Sequence, residues 1–398
     1  MANGDVAGKT GGMIVREFRE SDTDVVHALL RLAFGGPRVR EGGGPPPGWR
    51  AHVVELDGRL AAHLGVLRYG QFFGGRAVPM GGVAGVAVDP YARGRGVAGA
   101  LLDVAIADMR EHGECVSALY PSVPPLYRGR GWEQTGTMQR VTLPLAALAA
   151  LPKPSVHRVI RPAGKEDLPA LRDAHRAVAS TVDGMLDRSA EPFDTADVLG
   201  LDIVDVVPGQ DGLLGYLTAK RPDGTTLRVY DLIAADQDTA LALLRQLASW
   251  AGQLKDVSLL HIDVAVWDLA VAQPMWHDVT IHPWMFRVVD LPAAVAARGW
   301  PAAALLRPFA VDIEVIDQQA PWHAGRHRIV VDDGKVGCEP GGTGAVRMSA
   351  RALGPWFAGS ADTSMLRRAG LIDGDPAVAA RLDALTGAPR VARMADAF

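Results

Sequence analysis

Val83-Ala84-Gly85-Val86-Ala87-Val88-Asp89-Pro90-Tyr91-Ala92-Arg93-Gly94-Arg95-Gly96-Val97-Ala98-Gly99 is the stretch that decides how this chain folds. Its first six residues are a short apolar, valine-rich run that reads as a buried strand. Asp89-Pro90 ends the run, because proline has no N–H to give a sheet ladder. A glycine-rich turn leads into a helix predicted from about Gly99 to Glu111. Ala100, Leu101, Val104, Ala105, Ala107 and Met109 supply its apolar surface, interrupted by Asp103 and Asp108. Glycine lets a backbone approach a ligand closely, and the free N–H groups of a first helical turn point at whatever lies ahead. The positive end of the helix favours a diphosphate, and Arg93 and Arg95 add charge-assisted donors.

A turn of this kind also serves P-loops, dinucleotide folds and ordinary connections. A P-loop wants Gly-Lys-Ser or Gly-Lys-Thr, which is absent. Gly94, Gly96 and Gly99 do satisfy the Gly-x-Gly-x-x-Gly spacing of a dinucleotide fold. The next strand, however, about Cys115 to Tyr120, ends in Leu119-Tyr120-Pro121-Ser122 with no acid at its tip. Arg93-x-x-Gly96-x-Ala98 instead resembles the Arg/Gln-x-x-Gly-x-Gly/Ala motif of the GNAT acetyltransferases. Downstream, Tyr127-Arg128-Gly129-Arg130-Gly131-Trp132 has the Tyr-x-x-x-Gly-aromatic ending those chains carry. A phenol there can protonate a departing thiolate, since a pKa of about 10 keeps its proton at neutral pH. The alternative is that Tyr127 packs a core and Gly131-Trp132 turns into a strand.

Bulk composition sets limits. A length of 398 residues implies two or three domains. The formal net charge of -4 gives no reason to expect nucleic acid. Cys115 and Cys338 form neither a disulfide framework nor a zinc pattern, so a reducing, cytoplasmic setting is expected. Met1 to Gly12 is glycine-rich without an apolar core, which reads as a frayed tail and not a signal peptide. Apolar runs such as Leu143 to Leu151 are too short and proline-bounded to span a bilayer, so no membrane partner is expected.

The chain opens with a strand at Ile14-Val15-Arg16 and a helix start at Ser21-Asp22-Thr23-Asp24. Further strands are expected at His52 to Glu55, Ala61 to Tyr69 and Gln71 to Pro79, with Leu56-Asp57-Gly58-Arg59 as a hairpin turn. The loop Gly42-Gly43-Gly44-Pro45-Pro46-Pro47-Gly48 is expected to edge an acceptor pocket. Val159-Ile160-Arg161 and Glu166-Asp167 repeat the opening pattern with the same arginine-to-aspartate spacing. A strand at Val229 to Ala234, a helix at Thr239 to Trp250 and a strand from Val257 follow, but no Arg-Gly-Arg-Gly stands between the first two. We read a second domain of the same fold without a phosphate cradle. Strands at Phe309 to Ile316, Arg326 to Asp332 and Lys335 to Glu339, with helices near Ser349 to Phe357 and Ala377 to Thr386, form a last α+β unit.

Taken over its full length, the chain resembles the Eis (enhanced intracellular survival) family of acetyltransferases. Motif A with Tyr127, the Ala118-Leu119-Tyr120-Pro121-Ser122 segment, Trp284 to Ala294 and the terminal Phe398 carry the likeness. The resemblance implies an α+β fold: a GNAT domain, a GNAT-like domain and a sterol-carrier-protein-like domain, drawn at residues 13–154, 155–290 and 291–398. It implies acetyl-coenzyme A as co-substrate with no metal, an amine acceptor that is a small molecule or peptide, and a homo-oligomer, a hexamer. By position, Val86, Ala87 and Val88 offer backbone groups to the pantetheine arm. Arg93, Gly94, Arg95, Gly96, Val97, Ala98 and Gly99 hold the diphosphate, and Ser122 and Val123 line the coenzyme. Tyr127 becomes the proton donor and the α-carboxylate of Phe398 the proton acceptor. Phe34, Trp49 and Tyr120 fall at the acceptor pocket.

The chain also departs from that pattern. Arg38 and Arg40 follow Phe34, and Ala397 precedes Phe398 where an acid is usual, so multiply charged aminoglycosides are expected to be poor acceptors. A rival expectation is a non-catalytic acyl-coenzyme A or lipid sensor. His323 and His327, four apart beside Gly325, are read as a solvated loop and not a metal pair; His277 and His282 likewise lack partners. Arg128 and Arg130 are either contacts to a coenzyme phosphate or a solvated helix face.

Overall fold

Strand alternation and helical periodicity build two sheets. The computed structural model describes residues 12–35, 48–189, 193, 195–221, 224–262 and 276–398. The tail before Gly12, the glycine-proline loop through Pro47, and Arg38 and Arg40 therefore lie outside the described residues. The first part holds β1 (Met13–Glu17), α1 (Thr23–Phe34), β2 (Trp49–Leu56), β3 (Arg59–Phe73), β4 (Arg76–Val88) and α2 (Val97–Glu111). It continues with β5 (Val116–Leu119), α3 (Pro124–Arg128), β6 (Glu133–Pro144) and α4 (Leu145–Leu148). The second part holds β7 (Arg161–Pro162), α5 (Leu168–Ala179), β8 (Leu186–Asp187), β9 (Ile203–Gly209), β10 (Gly212–Lys220) and β11 (Thr226–Ala234). It closes with α6 (Gln237–Ala248), β12 (Asp256–Leu260) and β13 (Asp278–Val288). The last part holds α7 (Leu291–Ala297), β14 (Phe309–Ile316), β15 (Gly325–Asp332), β16 (Lys335–Pro340) and β17 (Val346–Ser349). It ends with α8 (Ala350–Phe357), α9 (Thr363–Arg368), β18 (Ile372–Gly374), α10 (Pro376–Thr386) and β19 (Ala392–Arg393).

Two boundaries differ from the sequence reading. β3 and β4 are long and continuous through Gly70 and Val83, and their hairpin turns at Gly74-Gly75, both at positive φ. The break expected near Gly70 is absent because strand pairing runs unbroken from Phe73↔Arg76 to Gly65↔Ala84. α2 begins at Val97, two residues before the expected start, because Gly96 in the left-handed region already serves as its N-cap.

The large sheet runs β1-β2-β3-β4-β5-β13-β6-β12-β11-β10-β9-β7. Its centre is a strand exchange. β13, late in the chain, pairs with β5, whereas β6 from the first part pairs with β12 of the second. β13 and β6 then pair with each other from Asp278↔Thr142 to Phe286↔Glu133. One sheet thus crosses from the first part to the second, each borrowing a strand from the other. The sequence repeat is visible in atoms. Arg16 grips Asp22 through two bonds of 2.7 and 2.9 Å, and Arg161 grips Asp167 through two of 2.7 and 2.8 Å.

The small sheet, β16-β15-β14-β17-β18, buries Val311, Ile313 and Val315 and turns Asp312 and Glu314 the other way, the period of two that a one-sided strand needs. Its core continues into the large sheet: Phe357 of α8 stacks on Phe286 of β13 at 5.9 Å and meets Phe73 of β3 at 5.5 Å.

Candidate active site

β4 carries the central feature. His63 stands opposite Ala87 and Gly65 opposite Ala84, so Gly85 and Val86 together face Leu64 alone. This bulge needs Gly85, whose φ is +60°; a Cβ there would crowd Leu30 and His63. His63 Nδ1 lies 2.8 Å from the Gly85 carbonyl and donates to it. Burial holds the His63 pKa below its usual value, so the ring is neutral. Neither Leu30 nor His63 stood out in the sequence; a histidine inside an apolar strand opposite a glycine was the available signal. Phe34, one turn after Leu30, is exposed at the end of α1.

β4 and β5 run parallel from Met80↔Val116 to Gly82↔Ala118, and no rung follows among the described residues. Val83 to Val88 therefore leave the β5 side, opening a cleft in the sheet. Past Val88, the Asp89 carboxylate accepts the Tyr91 N–H at 2.8 Å and shapes the turn. Gly94 and Gly96 both have positive φ, with open space around them. Gly96 caps α2 without any side-chain bond, so the first N–H groups of a fifteen-residue helix are not capped by a side chain. Arg93 to Gly96 are exposed, Val97 and Gly99 buried, Ala98 half-buried. Arg95 reaches Asp57 at 3.0 Å, while Arg93 has no ion pair among the described residues. Gly99 has a different duty from its neighbours: a Cβ would collide with the Arg130 guanidinium, which donates to the Gly99 carbonyl at 2.9 Å. Arg130 also pairs with Asp103 and Arg128 with Glu133, so neither is a bare solvated charge.

Tyr127 sits in α3 and is 5 % exposed, packed with Val83, Leu101 and Leu119. Burial pushes its phenol up to about 12, so it holds its proton across the neutral range. No hydrogen bond engages its hydroxyl among the described residues. Arg287 of β13, held by the last part of the chain, braces the turn behind it. Arg287 donates to the Arg130 carbonyl, lies over the Trp132 ring at 5.5 Å and bonds Asp317 at 2.7 Å. Asp317 also meets His323 Nε2 at 2.9 Å, and the Leu291 N–H donates to His323 Nδ1, which fixes the proton on Nε2. His323 and His327 are thus buried, not the solvated loop expected. Each is held by a local hydrogen bond, and among the described residues no three His, Cys, Asp or Glu side chains converge as metal ligands.

On the opposite face lies Phe398. Adjacent strand residues point to opposite faces, and where Val83 looks towards α2, a Cβ on Gly82 would touch the Phe398 ring at 2.9 Å. That ring is 5.3 Å from Tyr69 and 5.8 Å from Tyr120, and Tyr69 in turn meets Phe193 at 5.2 Å. Trp49 stacks on His63 at 5.7 Å, beside the bulge. Tyr69 and Phe193 were not anticipated; a tyrosine in a strand reads as ordinary core. Ser122 and Val123 are exposed between β5 and α3.

Residues 14–135 match the family model of the acetyltransferase (GNAT) domain, and residues 291–394 that of the sterol carrier protein domain. An uncharacterised N-acetyltransferase of Streptomyces coelicolor is 26 % identical over 373 residues, 80 % of this chain and 82 % of that protein. The chain is an acyltransferase with a GNAT domain in an Eis-like architecture. A GCN5-related N-acetyltransferase from Kribbella flavida superposes with a TM-score of 0.82 at 27 % identity, covering 97 % of this chain and all of that one (100 %). Eis1 from Mycobacterium abscessus shares the fold, with a TM-score of 0.75 at 21 % identity and coverage of 97 % and 100 %. The GNAT match covers the bulge, the glycine turn and Tyr127; the sterol carrier match covers α7 to β19. No helix among the described residues is long and apolar enough to cross a membrane.

Proposed function

We propose that this acyltransferase moves an acetyl group from acetyl-coenzyme A to a primary amine of a small molecule or peptide by direct attack in a ternary complex. The observation that carries the proposal is a cleft with different equipment on its two faces. One face offers an uncapped helix terminus and a buried phenol; the other offers an aromatic pocket holding the chain's last residue. In this reading Arg93 to Gly99 receive the diphosphate and Val86 to Val88 the pantetheine, with Ser122 and Val123 along its course. The bulge supports the Val86 N–H as oxyanion donor, a role that contributes several kcal/mol in other enzymes. Tyr127 gives its proton to the leaving thiolate. The α-carboxylate of Phe398 accepts the proton of the attacking amine, for which an ordinary pKa of about 3.5 keeps it ionised.

Trp49, Tyr69, Tyr120 and Phe193 surround the acceptor side, with Phe34 at its edge, which favours an aromatic or largely apolar amine. Asp396, the nearby acid, is paired with Arg188 at 3.0 Å, so its charge is not free for a polycation. We therefore expect aminoglycosides to be weak acceptors. A hexamer and a cytoplasmic setting belong to the same proposal; sedimentation velocity tests the first. The deciding experiment is free-thiol release from acetyl-coenzyme A over a panel of amines. Release with an aryl or alkyl monoamine supports the reading, and coenzyme binding without release for any amine replaces it with the sensor.

A further inference from the structure

Arg188 lies in the second part of the chain, far from the phosphate turn, yet its guanidinium is engaged from two sides. Nη1 and Nη2 grip the two carboxylate oxygens of Asp231 at 2.8 and 2.9 Å, saturating one edge of the fork. The other edge, Nε, donates to Asp396 Oδ1 at 3.0 Å. Thr218 holds Asp231 from behind, its hydroxyl 3.3 Å from Oδ2 and accepting the Asp231 N–H at 3.0 Å. Arg188 with Asp231 is already a neutral pair, and Asp396 is a second carboxyl brought to the same guanidinium. Burial raises the Asp396 pKa against this arrangement, and its Oδ2 has no partner among the described residues. A cluster built only for stability would not include Asp396.

What the third member achieves is placement. The segment before it is pinned by β19 against β6, by the Arg393 N–H to the Asp183 carbonyl at 2.8 Å and by the Met394 N–H to Thr137 at 3.2 Å. Beyond Met394, Ala395 packs with Phe72, Met185 and Leu260, and the polar fixings among the described residues before the Phe398 ring both fall on Asp396. Its side chain goes to Arg188, and its carbonyl accepts the Tyr120 hydroxyl at 2.9 Å. We propose that Arg188 is a positioning residue that seats the final residues of the chain in the acyl-transfer cleft, so that the second part acts on the site through the tail. Its catalytic consequence rests on the proposed role of Phe398. A cavity of about 160 Å³ lies against the anchor, lined by His175, Arg188, Tyr216, Asp231 and Asp396.

Asp396→Ala tests this while keeping the Arg188–Asp231 pair that the fold needs; Arg188→Lys keeps a charge but cannot span both carboxylates. In both variants amide hydrogen exchange over residues 394–398 should quicken by about tenfold or more, the loss expected for a charge-assisted bond. kcat should fall while the acetyl-coenzyme A Kd stays within about twofold, and Asp396→Ala should cost nothing further in a chain lacking Phe398. Unchanged tail exchange in both variants overturns the anchor. A kcat loss that persists in full without Phe398 overturns it too, since Arg188 would then act by another route. Faster exchange with kcat untouched upholds the anchor and sinks Phe398 as proton acceptor.

Discussion

The two halves of the large sheet share several features and differ at their clefts. Both open with an arginine–aspartate clasp, both have two parallel strands that part after a few rungs, and both bulge the strand before the helix. In the first half Gly85 and Val86 bulge out of β4; in the second, Tyr230 is left between Thr218↔Asp231 and Ala219↔Val229. The connections then diverge. Residues 89–96 lead to an uncapped α2, whereas only Ala235 and Asp236 lead to α6, where Asp236 accepts the Thr239 N–H at 2.7 Å. Arg158 neutralises that carboxylate at 2.7 Å. One helix terminus is left for an external anion, and the other is stoppered by the protein's own. The lesson is that a fold can be kept while its ligand is replaced by a side chain.

The largest effect that can sharpen this contrast concerns the phenol of Tyr127, buried beside the first cleft. Tyr127→Phe removes a hydroxyl with no partner among the described residues, so the packing should survive. We expect kcat to fall by about 10²–10⁴ with coenzyme affinity nearly unchanged. Steady-state turnover with a calorimetric Kd checks it, and parental turnover would exclude Tyr127 from proton transfer.

Acid should separate the halves next, because the second cleft is filled with buried ionisable groups. His175 is 1 % exposed with neither ring nitrogen bonded among the described residues, and burial pushes its pKa down to about 3. Its unfolded counterpart titrates near 6.5. Below that pH the unfolded chain binds a proton that the folded one refuses, so stability drops from about pH 6.5 towards pH 3. Between pH 6.5 and 5 the cost is about 2 kcal/mol from this residue alone. Asp396, pushed upward by burial, opposes the trend, so the comparison must be made against a variant. His175→Gln should remove the histidine's share; urea unfolding at both pH values measures it, and identical pH slopes would refute it.

Much of this was legible beforehand because some residues have few alternatives. Pro90, Gly94 and Gly96 punctuate the chain so strongly that the strand, turn and helix were readable in order, and the Arg–Asp repeat exposed the second half. What sequence could not show was the strand exchange. β6 and β13 read as strands like any other, and nothing in one strand names its neighbour. His63 was missed because its role is to hold a carbonyl two strands' length away in sequence. His323 and His327 were misread because glycine nearby suggests solvent, whereas Asp317 and Leu291 hold His323 in the interior and the His323 carbonyl in turn holds His327.

A moderate effect comes from giving the first helix what the second already has. Ala98, half-buried in the first turn of α2, replaced by aspartate would set a negative charge where the diphosphate is expected. Acetyl-coenzyme A Kd should rise by about tenfold. Ala98→Asn, similar in size, should leave it within about twofold; equal losses in the two would mean shape and not charge is responsible.

The smallest effect is the converse. Asp236→Ala unstoppers α6, which should cost about 1 kcal/mol of stability, typical for a lost N-cap, and leave Arg158 without its carboxylate. It should not create a second coenzyme site. The connection from β11 is only two residues, with neither the glycines that open space before α2 nor an arginine placed like Arg93. Calorimetry should therefore still count one acetyl-coenzyme A per chain. A second binding event would mean that Asp236 alone separates the two clefts, and that the longer, glycine-bearing turn is not what a phosphate cradle requires.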